Sequence, residues 1–411
     1  MTNLPQGWEW KSLGEICFIT DGTHKTPNYI ETGIPFLSVK NISKGFFDLS
    51  DVKYISLEEH NKLIKRAKPE FGDILICRIG TLGKAIKISL EFEFSIFVSL
   101  GLLKPKVKII SDYLVYFLNS YFIEGWINDN KVGGGTHTAK LNLNILEKCP
   151  IALPPLKEQE RIVGILDESF AKIDESIKIL EQDLLNLDEL MQSALQKAFN
   201  PLKDNAKENY KLPQGWEWKN LGEIANTSSG GTPSRNKKEY WENGNIKWLK
   251  SGELNDGYID FIEENITEEA IKNSSAKIFQ KGTLLIAMYG ATAGKLGILN
   301  LDSTTNQAIC AFLHKDKNIK FLEKFLFYFL FFLRDKIIKD SFGGAQPNIN
   351  QTYIKNLQIP LPPIKEQEQI TSHLDELSSH VKNLKQNYQA QIKDLQELKN
   401  SLLDKAFKGN L

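Results

Sequence analysis

LPQGWEWKSLGEI at residues 4–16 is repeated as LPQGWEWKNLGEI at residues 212–224, with one substitution in thirteen positions. The two copies are offset by 208 residues, and LPPLKEQERI (153–162) returns as LPPIKEQEQI (361–370) at the same offset. Solenoid repeats have periods of 20–50 residues. This much longer period therefore indicates a duplicated domain together with the helix that follows it.

We call the repeated stretch at residues 4–16 and 212–224 the opener. The segment between the opener and the helix that ends each half differs in sequence between the two halves but keeps a common frame. Glycine-bounded apolar runs, such as residues 72–76 and 282–286, are typical of strands, and the apolar runs 113–122 and 325–333 predict helices packed on a sheet. We therefore predict an α+β protein with two mixed α/β domains related by a pseudo-twofold axis. The predicted boundaries are domain 1 at 1–155, a first long helix at 156–200, a linker at 201–211, domain 2 at 212–363 and a second long helix at 364–411.

Both long helices carry apolar residues at heptad spacing, which is typical of coiled coils. Pro-Pro pairs begin both segments, and about 44 helical residues would span roughly 65 Å. We predict that the two helices pair antiparallel; the alternative is that each packs on its own domain. The seam of the first helix is Leu166, Ile173, Leu180 and Leu187 interleaved with Phe170, Ile177, Leu184 and Met191. That of the second is Leu374, Val381, Tyr388, Leu395 and Leu402, interleaved with Leu377, Leu384 and Leu398.

Composition narrows the functional class. Basic and acidic residues balance at 51 each, although residues 1–150 and 211–363 are mildly basic and residues 157–200 carry ten acidic against five basic side chains. A phosphate-binding face is therefore possible only as a local patch. Four widely spaced cysteines and the absence of a signal sequence or a long apolar run favour a cytoplasmic protein without structural zinc. No phosphate-loop, HExxH or GxSxG motif is present, which disfavours an enzyme.

Two pairs of polar loops are the candidate contact sites. DGTHKTP (21–27) corresponds to SGGTPSR (229–235), and GGGTHTAKLN (133–142) corresponds to GGAQPNIN (343–350). Because these loops diverge inside a copied frame, they suit two DNA half-sites of different sequence; ordinary solvated side chains are the alternative. The candidates for base contact are His24, Lys25, Thr136, His137, Lys140, Arg235, Gln346, Asn348 and Asn350. The candidates for phosphate contact are Lys40, Arg78, Lys84, Lys250 and Lys295.

The opener, the loops and the repeated LPPLKEQE helix start resemble the specificity subunit of type I restriction–modification systems, over the whole chain. The resemblance implies two target-recognition domains that each read one half of a bipartite site in double-stranded DNA. It also implies that the helices set the spacing and dock two methyltransferase subunits, with a restriction/translocase subunit in the same complex. The helix starts then supply the candidate partner contacts Glu158, Gln159, Glu366 and Gln367.

That division of labour implies a non-catalytic subunit without a cofactor of its own, since S-adenosylmethionine is expected on the methyltransferase subunits. One departure is the acidic bias of the first helix alone, which indicates that the two docking faces are not equivalent. Two alternatives remain open from the sequence. One is a coiled-coil scaffold that presents two protein-binding domains, and the other is the specificity subunit of a type II restriction enzyme.

Overall fold

A computed structural model describes residues 4–134, 139–199, 212–315, 321–341 and 348–411. The predicted linker, 201–211, lies outside these ranges. The chain divides into two compact units, Met1–Glu181 with Tyr388–Leu411, and Gln182–Asn387. Each unit therefore contains one α/β domain and a part of each long helix.

Domain 1 consists of small sheets covered by short helices. Its strands are β1 (Glu9–Ser12), β2 (Cys17–Asp21), β3 (Ile34–Leu37), β4 (Lys53–Ile55), β5 (Ile74–Cys77), β6 (Ala85–Lys87), β7 (Ser95–Ile96), β8 (Leu100–Pro105) and β9 (Pro150–Leu153). Its helices are α1 (Leu13–Ile16), α2 (Leu57–Leu63), α3 (Ser111–Leu118), α4 (Tyr121–Asn130) and α5 (Leu143–Leu146), and α6 (Leu156–Phe199) follows. The sheet orders are β2-β8-β5-β6, β4-β3-β7 and β1-β9.

Domain 2 repeats this plan. Its strands are β10 (Glu217–Asn220), β11 (Ala225–Ser229), β12 (Ile246–Leu249), β13 (Gly257–Ile259), β14 (Asn265–Ile266), β15 (Ile278–Phe279), β16 (Leu284–Ala287), β17 (Leu296–Leu299), β18 (Ser303–Thr305), β19 (Ile309–His314) and β20 (Gln358–Leu361). Its helices are α7 (Leu221–Ile224), α8 (Glu268–Lys272), α9 (Glu323–Lys339) and α10 (Gln351–Asn356), and α11 (Ile364–Phe407) follows. The orders β11-β19-β16-β17-β13, β14-β12-β18-β15 and β10-β20 match those of domain 1, with β13 and β15 added at sheet edges.

The repeated opener builds the base of each domain. In domain 1, β1 pairs antiparallel with β9, so the first strand is held against the last strand before α6. The single substitution in the opener, Ser12 to Asn220, falls on the N-cap of the short helix that follows. Ser12 N donates to Glu15 at 2.6 Å, and Asn220 N donates to Glu223 at 3.3 Å. One capping residue has thus replaced another, which explains why this change is tolerated.

The hydrophobic cores lie between the sheets and the helices. In domain 2, α9 carries the most apolar run of the chain, and Phe325, Leu326 and Leu330 are buried in a cluster with Leu284 and Leu296. The prediction of a buried helix over residues 325–333 is therefore confirmed. Within the ranges given above, no helix combines the length and the apolar character needed to cross a bilayer. All four cysteines are buried free thiols, and burial raises the pKa of Cys17 to about 12.

The two long helices begin at the predicted residues and run Leu156–Phe199 and Ile364–Phe407. In the first unit, Arg161 Nη2 donates to Leu411 O at 3.2 Å and Asp174 binds Lys399, so residue numbers rise along one helix as they fall along the other. The segments of α6 and α11 within this unit are therefore antiparallel. In the second unit, Asp188 of α6 binds Lys385 of α11.

The seam of α6 is as predicted, but that of α11 is corrected. Leu384 is 39% exposed and Leu398 is 46% exposed, although both were expected in the interleaved set. The second set of seam positions is occupied instead by the half-buried side chains of Lys385, Ile392 and Lys399. Each lies four residues after a position of the first set (381, 388 and 395), where a spacing of three was predicted. A helix of 3.6 residues per turn allows either spacing, and the acidic side chains on α6 select the lysines.

Candidate nucleic-acid interface

The sheet topology of domain 1 brings three loops to one edge. Asp21 at the end of β2 pairs with Gly101, and Cys77 at the end of β5 pairs with Leu100 at the start of β8. The loops 22–33, 78–84 and 97–99 therefore leave the sheet side by side. The segment after residue 138 joins them, because Leu141 N donates to Arg78 O at 2.8 Å and Lys140 forms a bridge with Ile79. We refer to this region as the loop edge of domain 1.

A buried carboxylate lies at the centre of this loop edge. Asp21 is 1% exposed and binds the guanidinium groups of both Arg66 and Arg78, and His24 Nε2 lies 3.1 Å from its Oδ2. Burial alone would raise the pKa of the Asp21 carboxyl, but the Arg66 hydrogen bond and the two arginine charges outweigh it, so the pKa lies below its ordinary value. One acid with two permanent cations leaves this cluster net positive.

The two arginines of this cluster differ in exposure. Arg78 is 7% exposed, and its Nε donates to Leu141 O at 3.1 Å while Nη1 donates to Val98 O at 3.2 Å. Arg78 therefore supports the loops from inside. The sequence had suggested Arg78 as a phosphate contact, but its buried side chain is not placed to bind phosphate directly. The side chain of Arg66 is 54% exposed and is the cation that the cluster presents to solvent. Sequence reasoning missed it, although Arg66 is one of only five arginines in the chain.

The other described candidates in domain 1 are four lysines. Lys25, Lys40 and Lys140 are exposed, and Lys40 lies in the short helical turn Val39–Asn41. Lys84 is half-buried and lines a cavity of about 430 Å³ between the 80–84 loop and α4. Lys131 lines the same cavity. Thr136 and His137 lie outside the described residues.

Domain 2 forms the equivalent loop edge. Ser229 at the end of β11 pairs with Cys310, and Ala287 at the end of β16 pairs with Ile309. The loops that begin at residues 230, 288 and 306 therefore leave the sheet together. Asn348 joins them through a bridge to Tyr289.

This second loop edge also has an acid between two cations. Arg235 Nη1 donates to Glu264 at 2.6 Å, and Lys250 Nζ donates to the other oxygen of Glu264 at 2.7 Å. Burial acts to raise the pKa of Glu264, but the hydrogen bonds from Lys250 and Arg235 outweigh it, so the pKa is lowered. Arg235 and Lys250, predicted separately, are thus brought together by a carboxylate that the sequence analysis did not single out.

The remaining candidates of domain 2 are at the surface. Lys295 and Asn348 are exposed. Asn350 has a structural task, since its Oδ1 accepts from Tyr353 N at 2.7 Å and caps α10. Gln346 lies outside the described residues.

The helix starts differ from expectation at the two glutamines. Gln159 is 1% exposed and accepts from Ile110 N at 2.9 Å while donating to Pro154 O at 2.9 Å. Gln367 is equally buried and makes the same pair of hydrogen bonds, with Leu322 N and Pro362 O. These glutamines fasten each long helix to its own domain and are not available to a partner subunit. Glu158 and Glu366 remain partly exposed, and Glu158 is engaged by Arg161.

Comparison with known proteins agrees with this arrangement. Residues 5–184 and 213–394 each match the family model described as "Type I restriction modification DNA specificity domain". The chain belongs to this family. The two matched segments contain the two recognition domains, so the duplication seen in the sequence is a duplication of the family's unit.

Relatives align along nearly the full chain. The specificity subunit of the type I restriction enzyme StySPI from Salmonella potsdam is 27% identical over 433 residues, covering 99% of this chain and 90% of the relative. A solved chain of a type I restriction–modification system has a TM-score of 0.80 at 24% identity, with all of both chains covered. The HsdS subunit of Thermoanaerobacter tengcongensis has a TM-score of 0.60 at 23% identity over 100% of this chain and 99% of that one. The matches favour neither alternative, the protein-binding scaffold or the type II subunit.

Proposed function

We propose that each recognition domain reads one half of a bipartite site in double-stranded DNA through its loop edge. The observation that carries the proposal is the contrast between the two copies. The sheets share one strand order apart from two added edge strands and the openers differ at one position, while the side chains at the loop edges differ. Two readers of unlike half-sites need this combination of a common frame and divergent contacts.

The proposed DNA contacts are the exposed polar and charged side chains at the two edges. In domain 1 they are His24, Lys25, Lys40, Arg66 and Lys140, with Lys84 beside them and Arg78 as internal support. In domain 2 they are Arg235, Lys250, Lys295 and Asn348. Since the whole chain has no net charge, phosphate attraction comes from these local groups, and binding should weaken as salt concentration rises.

We further propose that the long helices dock two methyltransferase subunits of a complex that also contains a restriction/translocase subunit. The exposed apolar side chains on the helices, including Ile179, Leu384 and Leu398, offer surface for such contacts beside Glu158 and Glu366. In this assembly S-adenosylmethionine belongs to the methyltransferase subunits, and this chain recognises DNA without catalysing its modification. The complex would work in the cytoplasm, where its DNA is.

A base-resolution methylome of the source cell tests the proposal. Deleting the gene should abolish methylation at one split motif, whereas an unchanged methylome would refute the assignment. Exchanging residues 17–150 for those of a relative should change only one half of the motif. A change in both halves would show that the two domains do not read DNA separately.

A further inference from the structure

The loop edge of domain 2 contains an arginine held on three sides. The guanidinium carbon of Arg235 lies 3.7 Å from the ring centroid of Trp241 and 4.7 Å from that of Trp248. The two indole rings meet edge to face, with centroids 5.0 Å apart. Glu264 binds one end of the guanidinium, at 2.6 Å. We call Arg235, Trp241, Trp248 and Glu264 the arginine clamp.

The clamp is itself fixed by the fold. Trp248 Nε1 donates to Gly231 O at 2.9 Å, and Trp241 Nε1 donates to Ser234 O at 3.1 Å, so each indole is bonded to the loop that carries Arg235. Glu264 is held beside Trp248 by the backbone, since Trp248 N donates to Glu264 O at 3.0 Å. A guanidinium that is stacked and bonded in this way has lost its rotational freedom before any ligand arrives.

Part of the arginine remains available to a ligand. Its side chain is 51% exposed, and among the residues that the structure describes Nε and Nη2 have no hydrogen-bond partner. Two parallel N–H donors on a planar group match the O6 and N7 acceptors of guanine in the major groove. A lysine in this position would offer a single rotatable charge and no such fork.

Domain 1 lacks the clamp at the equivalent place. Phe36 occupies the strand position of Trp248, and the residue paired with Phe36 is Lys53, where domain 2 has Glu264 beside Trp248. The loop 22–33 contains no arginine. A device that held the common frame together would be expected in both copies, so the clamp serves a task particular to domain 2.

We infer that Arg235 reads a guanine in the half-site of domain 2, and that Trp241 and Glu264 are positioning residues for it. The inference rests on the proposed function. In physical terms, the two preorganised N–H donors of the Arg235 guanidinium recognise one G·C pair, while the surrounding lysines bind phosphate without regard to sequence.

The first test is a methylome of a methylation-deficient host that carries the complete complex. With the unaltered protein, the half-site assigned to domain 2 by domain exchange should contain a G·C pair. Arg235→Gln should relax that one position, with a loss of discrimination of about 5- to 150-fold, and leave the other half-site unchanged. Arg235→Lys should relax the same position although it keeps the charge. Lys238→Gln, which removes an exposed charge close by in sequence, is the matched control and should leave the motif intact.

The second test uses the unaltered protein, so that folding of a variant is not in question. Replacing the half-site guanine by 7-deazaguanine removes the N7 acceptor, and the complex should bind this duplex about tenfold more weakly. An unchanged affinity, or a half-site without a G·C pair, would overturn the inference. If the complex yields no bipartite methylation at all, the proposed function fails; if it yields a bipartite motif that Arg235→Gln leaves unchanged, only the clamp's assignment fails.

Discussion

Replacing Asp21 with alanine should destabilise domain 1 selectively. The substitution leaves the guanidinium of Arg78 buried without its carboxylate, because Arg78 is 7% exposed and its other hydrogen bonds go to backbone carbonyls. Removing one partner of a buried ion pair costs about 3–5 kcal/mol. A domain is typically stable by about 5–15 kcal/mol, so the variant should remain folded but open far more often.

Hydrogen–deuterium exchange can locate this effect. A cost of about 3–5 kcal/mol corresponds to roughly a 10²- to 10⁴-fold increase in the opening equilibrium, since about 1.4 kcal/mol is tenfold. Peptides that cover β2, β5 and β8 should exchange faster by up to this factor in Asp21→Ala. Peptides that cover the equivalent strands β11, β16 and β19 should be unchanged, because the cluster belongs to domain 1 alone.

Two control variants separate burial from charge. Asp21→Asn combined with Arg78→Met removes both charges of the buried pair and should recover most of the lost protection, because no uncompensated charge is then left buried. Arg66→Ala should cost no more than about 1 kcal/mol, because that arginine is half exposed. The reasoning is refuted if Asp21→Ala exchanges like the unaltered protein, or if Arg66→Ala is the more damaging change.

Three further outcomes can be measured on the same protein. Because the folded-state pKa of Asp21 is lowered, its stabilising contribution is fully present above the unfolded pKa of about 3.9 and is lost as pH falls through the folded value. The difference in urea stability between the unaltered protein and Asp21→Asn should therefore begin to shrink below about pH 4 and disappear once the pH is below the folded pKa. Gln159→Leu should destabilise domain 1, and Gln367→Leu domain 2, by about 1 kcal/mol in exchange protection, since each removes the acceptor of a partly buried backbone N–H. Leu395→Ala should lower the melting temperature, whereas Leu398→Ala should cost less than about 0.5 kcal/mol, because Leu398 is exposed beside the seam.

Local signals in the sequence predicted the frame well. The opener carries its own turn and capping box, and the Pro-Pro pairs set the starts of α6 and α11, so the helix starts followed from neighbouring residues alone. The loop edges could be anticipated only as regions. Arg66 binds Asp21 from 45 residues away, and Glu264 is brought to Arg235 by strand pairing. No local pattern encodes such contacts, which is why the two acids at the centres of the sites were missed.

The seam of α11 shows the opposite failure, in which a strong local pattern misled. Leucines at 377, 384 and 398 have the apolar character expected of a seam, and lysines at 385 and 399 do not. Which residues of α11 enter the seam depends on the facing helix, α6, where acidic residues recur at positions 167, 174, 181 and 188. Asp174 binds Lys399, Asp188 binds Lys385, and Asp167 accepts from the Tyr116 hydroxyl.

The acidic bias of α6 therefore has an internal explanation. Lysine stems can pack along apolar surface while their ammonium groups reach a carboxylate at the margin, as Lys399 does over the ring of Phe170 at 5.0 Å. Part of the acidic charge on α6, at Asp174 and Asp188, is thus neutralised by lysines of α11 within each unit. Exposed apolar side chains remain on both helices, Ile179, Leu185 and Leu190 on α6 and Leu384 and Leu398 on α11. Since both helices expose apolar side chains, the inequality of the two docking faces that the charge bias suggested is better sought in the acidic charge that remains on α6.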